Sequence, residues 1–466
     1  MDYDIIVLGA GSAGLNIVSF MNSIGLRVLM VEKGIVGGDC LNYGCVPSKA
    51  LISIAHTVHA ARKAETYGLH LVGNLELKKV ADTIRARQEI IRKHENADYF
   101  RSKGIDVELG SPEFTGPRSI RINDREVSAR KIVIATGSRP AVPKIEGIDA
   151  VDYFTNETIF KNRELPKQLL VIGGGPIGVE IGQAYRRLGA DVTIVTRGRH
   201  ILPKEDDDVA AILTSVLKAE GIEILTERVP IRFSNPGHLV VRRAGEEELL
   251  PFDQVLVATG RRLNIEGLKL EEAGIEVNDG QIRVNRSLRT TNKHVYTCGD
   301  VAGDFLFTHW AEYQAAMVIK NMLSPFGQKV DHSKIAWVTY TEPEVATFGQ
   351  QAGQLEQSGE SFDTISIELK HVDRAICEGI DAGLLKLHVR KGMIIGGTMI
   401  AQNAGEVSGE LIGAMTLKIP FNKLYNRVYP YPTMSRVNRR AVQKRLGAKL
   451  TPRNKNLLKR LFTLFN

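Results

Sequence analysis

The chain has 466 residues, of which 43% are hydrophobic and 24% charged, a composition that excludes a disordered or fibrous protein. That length is too great for one core and implies two to four domains. The net charge of +8 is local: Arg436 to Asn466 holds six Arg, four Lys and no acid, so the rest of the chain nets −2, which argues against a fold-wide nucleic-acid surface and points to an anionic partner for the tail alone.

The opening, "MDYDIIVLGAGSAG", lacks the basic start and cleavage site of a signal peptide. No apolar run approaches the roughly 20 residues of a membrane span. The expectation is a cytoplasmic protein. Ile5–Leu8 reads as a strand, Gly9, Gly11 and Gly14 as a GxGxxG turn, Leu15–Ser23 as a helix and Arg27–Val31 as a second strand ending at Glu32. Such a unit binds a dinucleotide: glycines let backbone approach a pyrophosphate at a helix N-terminus, and the acid accepts ribose hydroxyls.

The pattern returns at Leu169–Arg197, with Gly173, Gly175 and Gly178 in the turn. Two such units imply a bound and an exchanging dinucleotide, hence electron transfer. Here Thr196, Arg197, Gly198 and Arg199 follow the second strand where Glu32 follows the first. An acid would repel a 2′-phosphate and an arginine attracts it, so NADPH is expected, with NADH the second choice. "VIATGSRP" (Val133–Pro140), "VLVATGRRLN" (Val255–Asn264) and "VYTCGDVAG" (Val295–Gly303) each read as a strand entering a tight loop. Beyond residue 340, "GLLKLHVRKGMIIGGTMI" reads as two strands about a Lys391–Gly392 turn and "AGEVSGELIGAMTLKI" as one helix, making an α+β domain.

"GGDCLNYGCVPSK" (Gly37–Lys49) holds two of only four cysteines, Cys40 and Cys45. Metal site, structural disulfide and redox pair are the candidates. A zinc site needs four ligands and no second cluster lies nearby; a reducing compartment disfavours a structural bridge. Residues five apart on a regular helix point about 140° from each other, and Gly44 allows the kink that brings them within disulfide reach. Pro47 suits the first turn of the following helix, where a thiol has a lowered pKa. The redox pair is the favoured reading.

Two dinucleotide units, GGxCxNxGCxPSK, two ATG strand ends, a GD motif and a closing α+β domain together resemble the FAD-dependent pyridine nucleotide–disulfide oxidoreductases, which include dihydrolipoamide dehydrogenase, glutathione reductase and mercuric reductase. The resemblance runs from Asp4 to about Arg440. It implies an α/β fold of two Rossmann-like domains and a C-terminal α+β dimerisation domain: FAD binding over 1–150 and 270–338, NAD(P) binding over 151–269, dimerisation over 339–450 and a basic amphipathic tail over 451–466. It implies FAD on Gly9, Gly11, Gly14, Glu32, Lys33, Gly38, Asp39, Thr136, Gly137, Gly299 and Asp300. It implies NAD(P)H on Gly173, Gly175, Gly178, Thr196, Arg197, Arg199 and Gly260. Cys45 is then the thiolate beside the flavin, Cys40 the interchange thiol, and Lys49 with Glu180 the flanking ion pair. A homodimer completes each site.

The disulfide-reducing members carry a His, and an acid five residues on, near the chain end. Tyr431 and Arg436 stand there in "VYPYPTMSRVNRR". Phenols titrate near 10 and guanidinium stays charged, so neither residue type shuttles protons at neutral pH. This resembles mercuric reductase, whose soft metal substrate needs no such shuttle, although no cysteine follows Cys377 to supply that enzyme's second pair. The expected acceptor is a soft metal ion such as Hg(II) or Cu, a quinone or a disulfide. The alternatives are a dihydrolipoamide dehydrogenase-type enzyme and a docked flavoprotein of poor turnover. Cys298 reads as a small buried hydrophobe. In the tail, Leu457, Leu458, Leu461, Phe462 and Phe465 share one helical face. Docking on the protein's own surface or dimer mate is expected there, with peripheral membrane contact the alternative.

Overall fold

The computed structural model describes residues 1–234 and 237–466. They form two compact units: residues 1–197 with 227–330, and residues 198–226 with 331–466.

In the first unit the strand Tyr3–Leu8 pairs in parallel with Val28–Glu32 and with the second half of Arg125–Ile134, Ile5 lying opposite both Val28 and Lys131. Asp106–Leu109 and Val295–Thr297 extend this parallel sheet at its two sides. Its central strands are apolar without alternation, and Ile6, Val7, Leu8, Ile132, Val133 and Ile134 are fully buried, as in a sheet covered on both faces. The helix Ser12–Ser23 buries Leu15, Ile17, Val18 and Met21 at helical spacing, starting three residues earlier than its apolar pattern suggests because the glycine turn feeds straight into it. A second parallel sheet repeats the plan, with Gln168–Ile172 between Asp191–Val195 and Gln254–Val257, and the helix Pro176–Leu188 following the turn.

The two copies agree in their backbone bonds. Gly9 N donates to Val31 O at 2.8 Å and Gly173 N to Val195 O at 2.8 Å. Ala135 N donates to Leu8 O at 2.7 Å and Ala258 N to Ile172 O at 2.8 Å. Each glycine turn is therefore held between two parallel strands.

The second unit is built on five antiparallel strands in the order Ala336–Thr339, Glu344–Gly349, Met393–Ala401, Leu384–Arg390, Asp363–Glu368. Lys391 and Gly392 both have positive φ, the conformation a two-residue hairpin turn requires. The segment Ala404–Ile419, expected as one helix, is two, Ala404–Val407 and Gly409–Thr416. Ser408 lies between them and its hydroxyl bonds the Gly405 carbonyl, competing with the regular ladder. Residues 198–226 are tied into this unit by polar contacts, those of Glu205 buried. Glu205 accepts from Trp337 Nε1 at 2.7 Å and from Thr347 Oγ1 at 2.6 Å, and Lys386 pairs with Asp206 at 2.7 Å and Asp208 at 2.9 Å.

The helix Arg436–Ala448 buries Val437, Ala441 and Val442 in the core of the second unit. The tail helix Pro452–Phe465 has no buried residue, and its Leu457 and Leu458 border an open groove shared with Tyr425, Leu446 and Leu450. No helix among the described residues is long and apolar enough to cross a membrane.

Candidate active site

The glycines of the first turn are required by sterics. A Cβ at Gly14 would lie 2.0 Å from Gly9 O, and one at Gly9, where φ is +110°, would lie 2.2 Å from Ala135 O. Gly38, also at positive φ, brings its backbone against Gly11, where a Cβ would be 2.5 Å from Gly11 Cα. The helix that starts at Ser12 has no side-chain cap, so its first amides are left to a ligand. Glu32 is oriented by two backbone amides, Ala10 N at 2.8 Å and Gly34 N at 2.7 Å. Lys33 is exposed beside it.

The second turn has the same geometry: Cβ positions at Gly173 and Gly178 fall 2.2 Å from Ala258 O and 2.0 Å from Gly173 O. Gly175 has nothing within 4 Å of its Cβ position, and the helix beginning at Pro176 has no side-chain cap. Arg197 is exposed at the end of the following strand, next to Thr196. Arg199 instead pairs with Asp207 at 2.6 Å, within the second unit.

The two ATG loops grip each other's exits. Thr136 Oγ1 donates to Asn264 O at 2.6 Å, Asn264 N to Gly137 O at 3.0 Å, and Ala141 N to Gly260 O at 3.0 Å. Short strands Ser138–Pro140 and Arg261–Leu263 pair antiparallel between them. Arg261 then organises the acids. It donates to Ser138 Oγ at 2.7 Å, sits 3.2 Å from Asp39 Oδ1 and 3.8 Å from Asp300 Oδ2. Burial pushes the Asp300 carboxyl above its ordinary value, against the opposing pull of Ser138 and Arg261. Gly299 N is fixed by Gln314 Oε1 at 2.8 Å.

Cys40 lies in the short helix Gly38–Asn42 and Cys45 opens the helix Cys45–Lys63. Gly44 makes the break between them, with φ −118° and ψ −109°. Both carry free thiols. The Cys45 thiol is lowered to about 6, first by a hydrogen bond from Cys40, then by Thr308 and by the Lys49 cation, against the cost of burial. Cys40 is driven the other way by the same bond, by burial and by the Cys45 charge. The pair therefore holds one thiolate, on Cys45, and one thiol, on Cys40. Thr308 Oγ1 stands 3.2 Å from Cys45 Sγ. Lys49 Nζ meets Glu180 Oε2 at 2.8 Å, joining the cysteine helix to the second dinucleotide helix; Glu180 is 6% exposed and Lys49 36%.

Two family models cover most of the sequence: pyridine nucleotide-disulphide oxidoreductase over residues 3–318, and the dimerisation domain of the same family over residues 335–442. The chain belongs to the pyridine nucleotide-disulphide oxidoreductase family. It is 31% identical over 448 residues to a mercuric reductase of Bacillus cereus, covering 93% of this chain and 70% of that one. It is 33% identical over 443 residues to a dihydrolipoyl dehydrogenase of Thermus scotoductus, covering 93% and 95%. Among solved structures it is similar to the Cu(II) complex of the HOCl-induced flavoprotein disulfide reductase RclA from Escherichia coli, with a TM-score of 0.84, 25% identity, and 95% and 99% of the two chains covered.

Family members are FAD- and NAD(P)H-dependent oxidoreductases, and the dimerisation domain supports a homodimer. The first turn fits FAD: an uncapped helix start, two glycine backbones in contact and an oriented carboxylate form a cradle that any larger side chain would fill. Within the family frame, Cys298 is fully buried, and burial pushes its thiol up to about 12, the behaviour of a packing residue. Tyr431 lies in the second unit, 67% exposed, with the Arg436 guanidinium 5.0 Å from its ring centre. Sequence reasoning missed Thr308 and Arg261. A lone threonine at a helix start carries no spacing signal, whereas the paired arginines directly after the second ATG were a visible one.

Two outcomes follow from this geometry. Gly178→Ala should destabilise the fold by about 2 kcal/mol or more, because its Cβ meets a carbonyl. Gly175→Ala, at an ordinary φ and in open space, should melt near wild type yet weaken NAD(P)H binding; thermal melts and nucleotide titrations separate the two. The ultraviolet thiolate signal of the reduced protein should titrate at about pH 6, vanish in Cys45→Ser and move to higher pH in Lys49→Met. A single transition near the ordinary thiol value of ~8.5 would contradict this assignment.

Proposed function

We propose that this enzyme reduces a thiophilic metal ion, Hg(II) or Cu(II), with electrons from NADPH, and that Cys40 and Cys45 are the sulfurs that meet the metal. One observation carries the reading. The Cys45 thiol, beside Cys40, Thr308 and the Lys49 cation, is lowered while that of Cys40 is raised, and the stretch that serves disulfide-reducing members as acid and base offers Tyr431 and Arg436 and no imidazole. Disulfide exchange needs a group that gives and takes a proton at the interchange sulfur. A soft cation needs only thiolate ligands.

The electron balance is simple. NADPH gives up a hydride; its electron pair opens the Cys40–Cys45 disulfide and its proton leaves one thiol beside one thiolate. The sulfurs then bind the metal. Two electrons pass to it, taking Hg(II) to Hg(0) or two Cu(II) to Cu(I), the disulfide re-forms and a proton is released. FAD, held on Gly9, Gly11, Gly14, Glu32, Gly38 and Asp300, supplies two-electron transfer between nicotinamide and sulfur. Thr308 and Lys49 hold the negative charge on Cys45. Glu180 fixes Lys49. Thr196 stands where the first unit has Glu32 and Arg197 follows it, an exchange of an acid for a neighbouring cation that supports the choice of NADPH. The reading places the reaction in a reducing compartment, the cytoplasm. The mercuric reductases among its relatives and the Cu(II) complex of the similar structure support the metal class.

Steady-state NADPH oxidation tests it. Hg(II) or Cu(II) should support turnover at least ~100-fold faster than lipoamide or oxidised glutathione, the difference a missing acid–base group makes. Cys40→Ser and Cys45→Ser should each abolish it, and Tyr431→His should raise disulfide turnover. Wild-type reduction of a disulfide as fast as of the metal would overturn the reading.

A further inference from the structure

The helix Pro452–Phe465 is not used by the chemistry above. At about 100° per residue its Leu457, Leu458, Leu461, Phe462, Leu464 and Phe465 fall in a sector of about 160°. All six are solvent-exposed, from 40% for Leu461 to 77% for Phe465. Arg453, Lys455, Lys459 and Arg460 occupy the opposite sector and its borders. Asn454 is the single polar residue within the apolar sector, and its amide bonds the Lys449 carbonyl at 2.7 Å, closing the preceding helix.

Apart from Lys449, which lies between the two helices, the basic residues of the last 31 positions divide into two sets. Those of the helix Arg436–Ala448 are engaged within their own unit: Arg440 with Asp373, Arg445 with Asp363, Lys444 with the Ser366 carbonyl, and Arg436 and Arg439 over the rings of Tyr431 and Tyr425. Those of the tail helix form no ion pair among the described residues, and no acid lies on this helix. The charge of the tail is therefore uncompensated where its apolar face is uncovered. A second copy of the helix seated on this face would bring like charges together at its borders. A bilayer with anionic headgroups satisfies both halves: acyl chains take the leucines and phenylalanines, and headgroup phosphates take the cations.

We infer that the helix Pro452–Phe465 lies in the surface of an anionic lipid bilayer, its Leu457, Leu461, Leu464 and Phe465 side immersed and Lys455, Lys459 and Arg460 on headgroup phosphates. The full-length, FAD-loaded protein would be sedimented with vesicles of phosphatidylcholine, with and without phosphatidylglycerol. Binding should be about tenfold or more tighter with the anionic lipid and weaken in high salt. Leu461→Ser with Phe462→Ser, Lys459→Glu with Arg460→Glu, and truncation after Thr451 should each lose it while leaving NADPH oxidation unchanged. Light scattering should give the same oligomer before and after truncation. Absence of binding to anionic vesicles, or binding that survives truncation, would overturn the inference. So would conversion of a dimer to a monomer on truncation, which would make the helix a subunit contact.

Discussion

A methyl group at Gly14 would sit 2.0 Å from the carbonyl oxygen of Gly9, and one at Gly178 would meet Gly173 O at the same distance. This prohibition is the constraint on which the first unit rests. It lets a helix leave a buried parallel strand with almost no loop, so the helix N-terminus stays close to the sheet edge. The uncapped amides there, with the Gly9 and Gly173 amides held by the Val31 and Val195 carbonyls, are what a pyrophosphate can occupy. The chain uses this device twice. The strand ends after the two ATG runs then cross-brace the copies through Asn264 and Ala141.

Everything chemical lies between those two turns. Gly44 breaks the helix so that Cys45 begins a new one, and the bond from Cys40 puts the negative charge on Cys45. Thr308 approaches from a helix far along the sequence, and Lys49 reaches Glu180 on the second dinucleotide helix. Removing the Lys49 side chain would take away a cation that stands 2.8 Å from the buried Glu180 carboxylate. The same contact thus supports the fold and the thiolate. Arg261 has a comparable double role, holding Ser138 while it faces Asp39 and Asp300.

Much of this was legible in the sequence because its signals are local. Glycine spacing, a β-branched run and a terminal acid lie within about thirty residues of one another, and the backbone geometry follows from them. Cys40, Gly44 and Cys45 are equally local. Thr308 and Arg261 were not found, since their roles depend on contacts between segments separated by more than a hundred residues. The tail shows the opposite case. Its amphipathic pattern was plain, but a pattern does not say what covers a face, and the structure leaves that face open. The helix expected over 404–419 failed for a third reason, a serine hydroxyl that competes for a backbone carbonyl.

In the proposed reaction, electrons from NADPH reach the Cys40–Cys45 sulfurs before they reach any acceptor. The most direct measurement is an anaerobic count of reactive thiols in the denatured protein, before and after one equivalent of NADPH. Reduction should expose two further thiols per chain, Cys40 and Cys45, and none in Cys45→Ser beyond those present at the start. Bleaching of the flavin with no gain in thiols would show that the sulfur pair stands outside the electron path and would contradict the account.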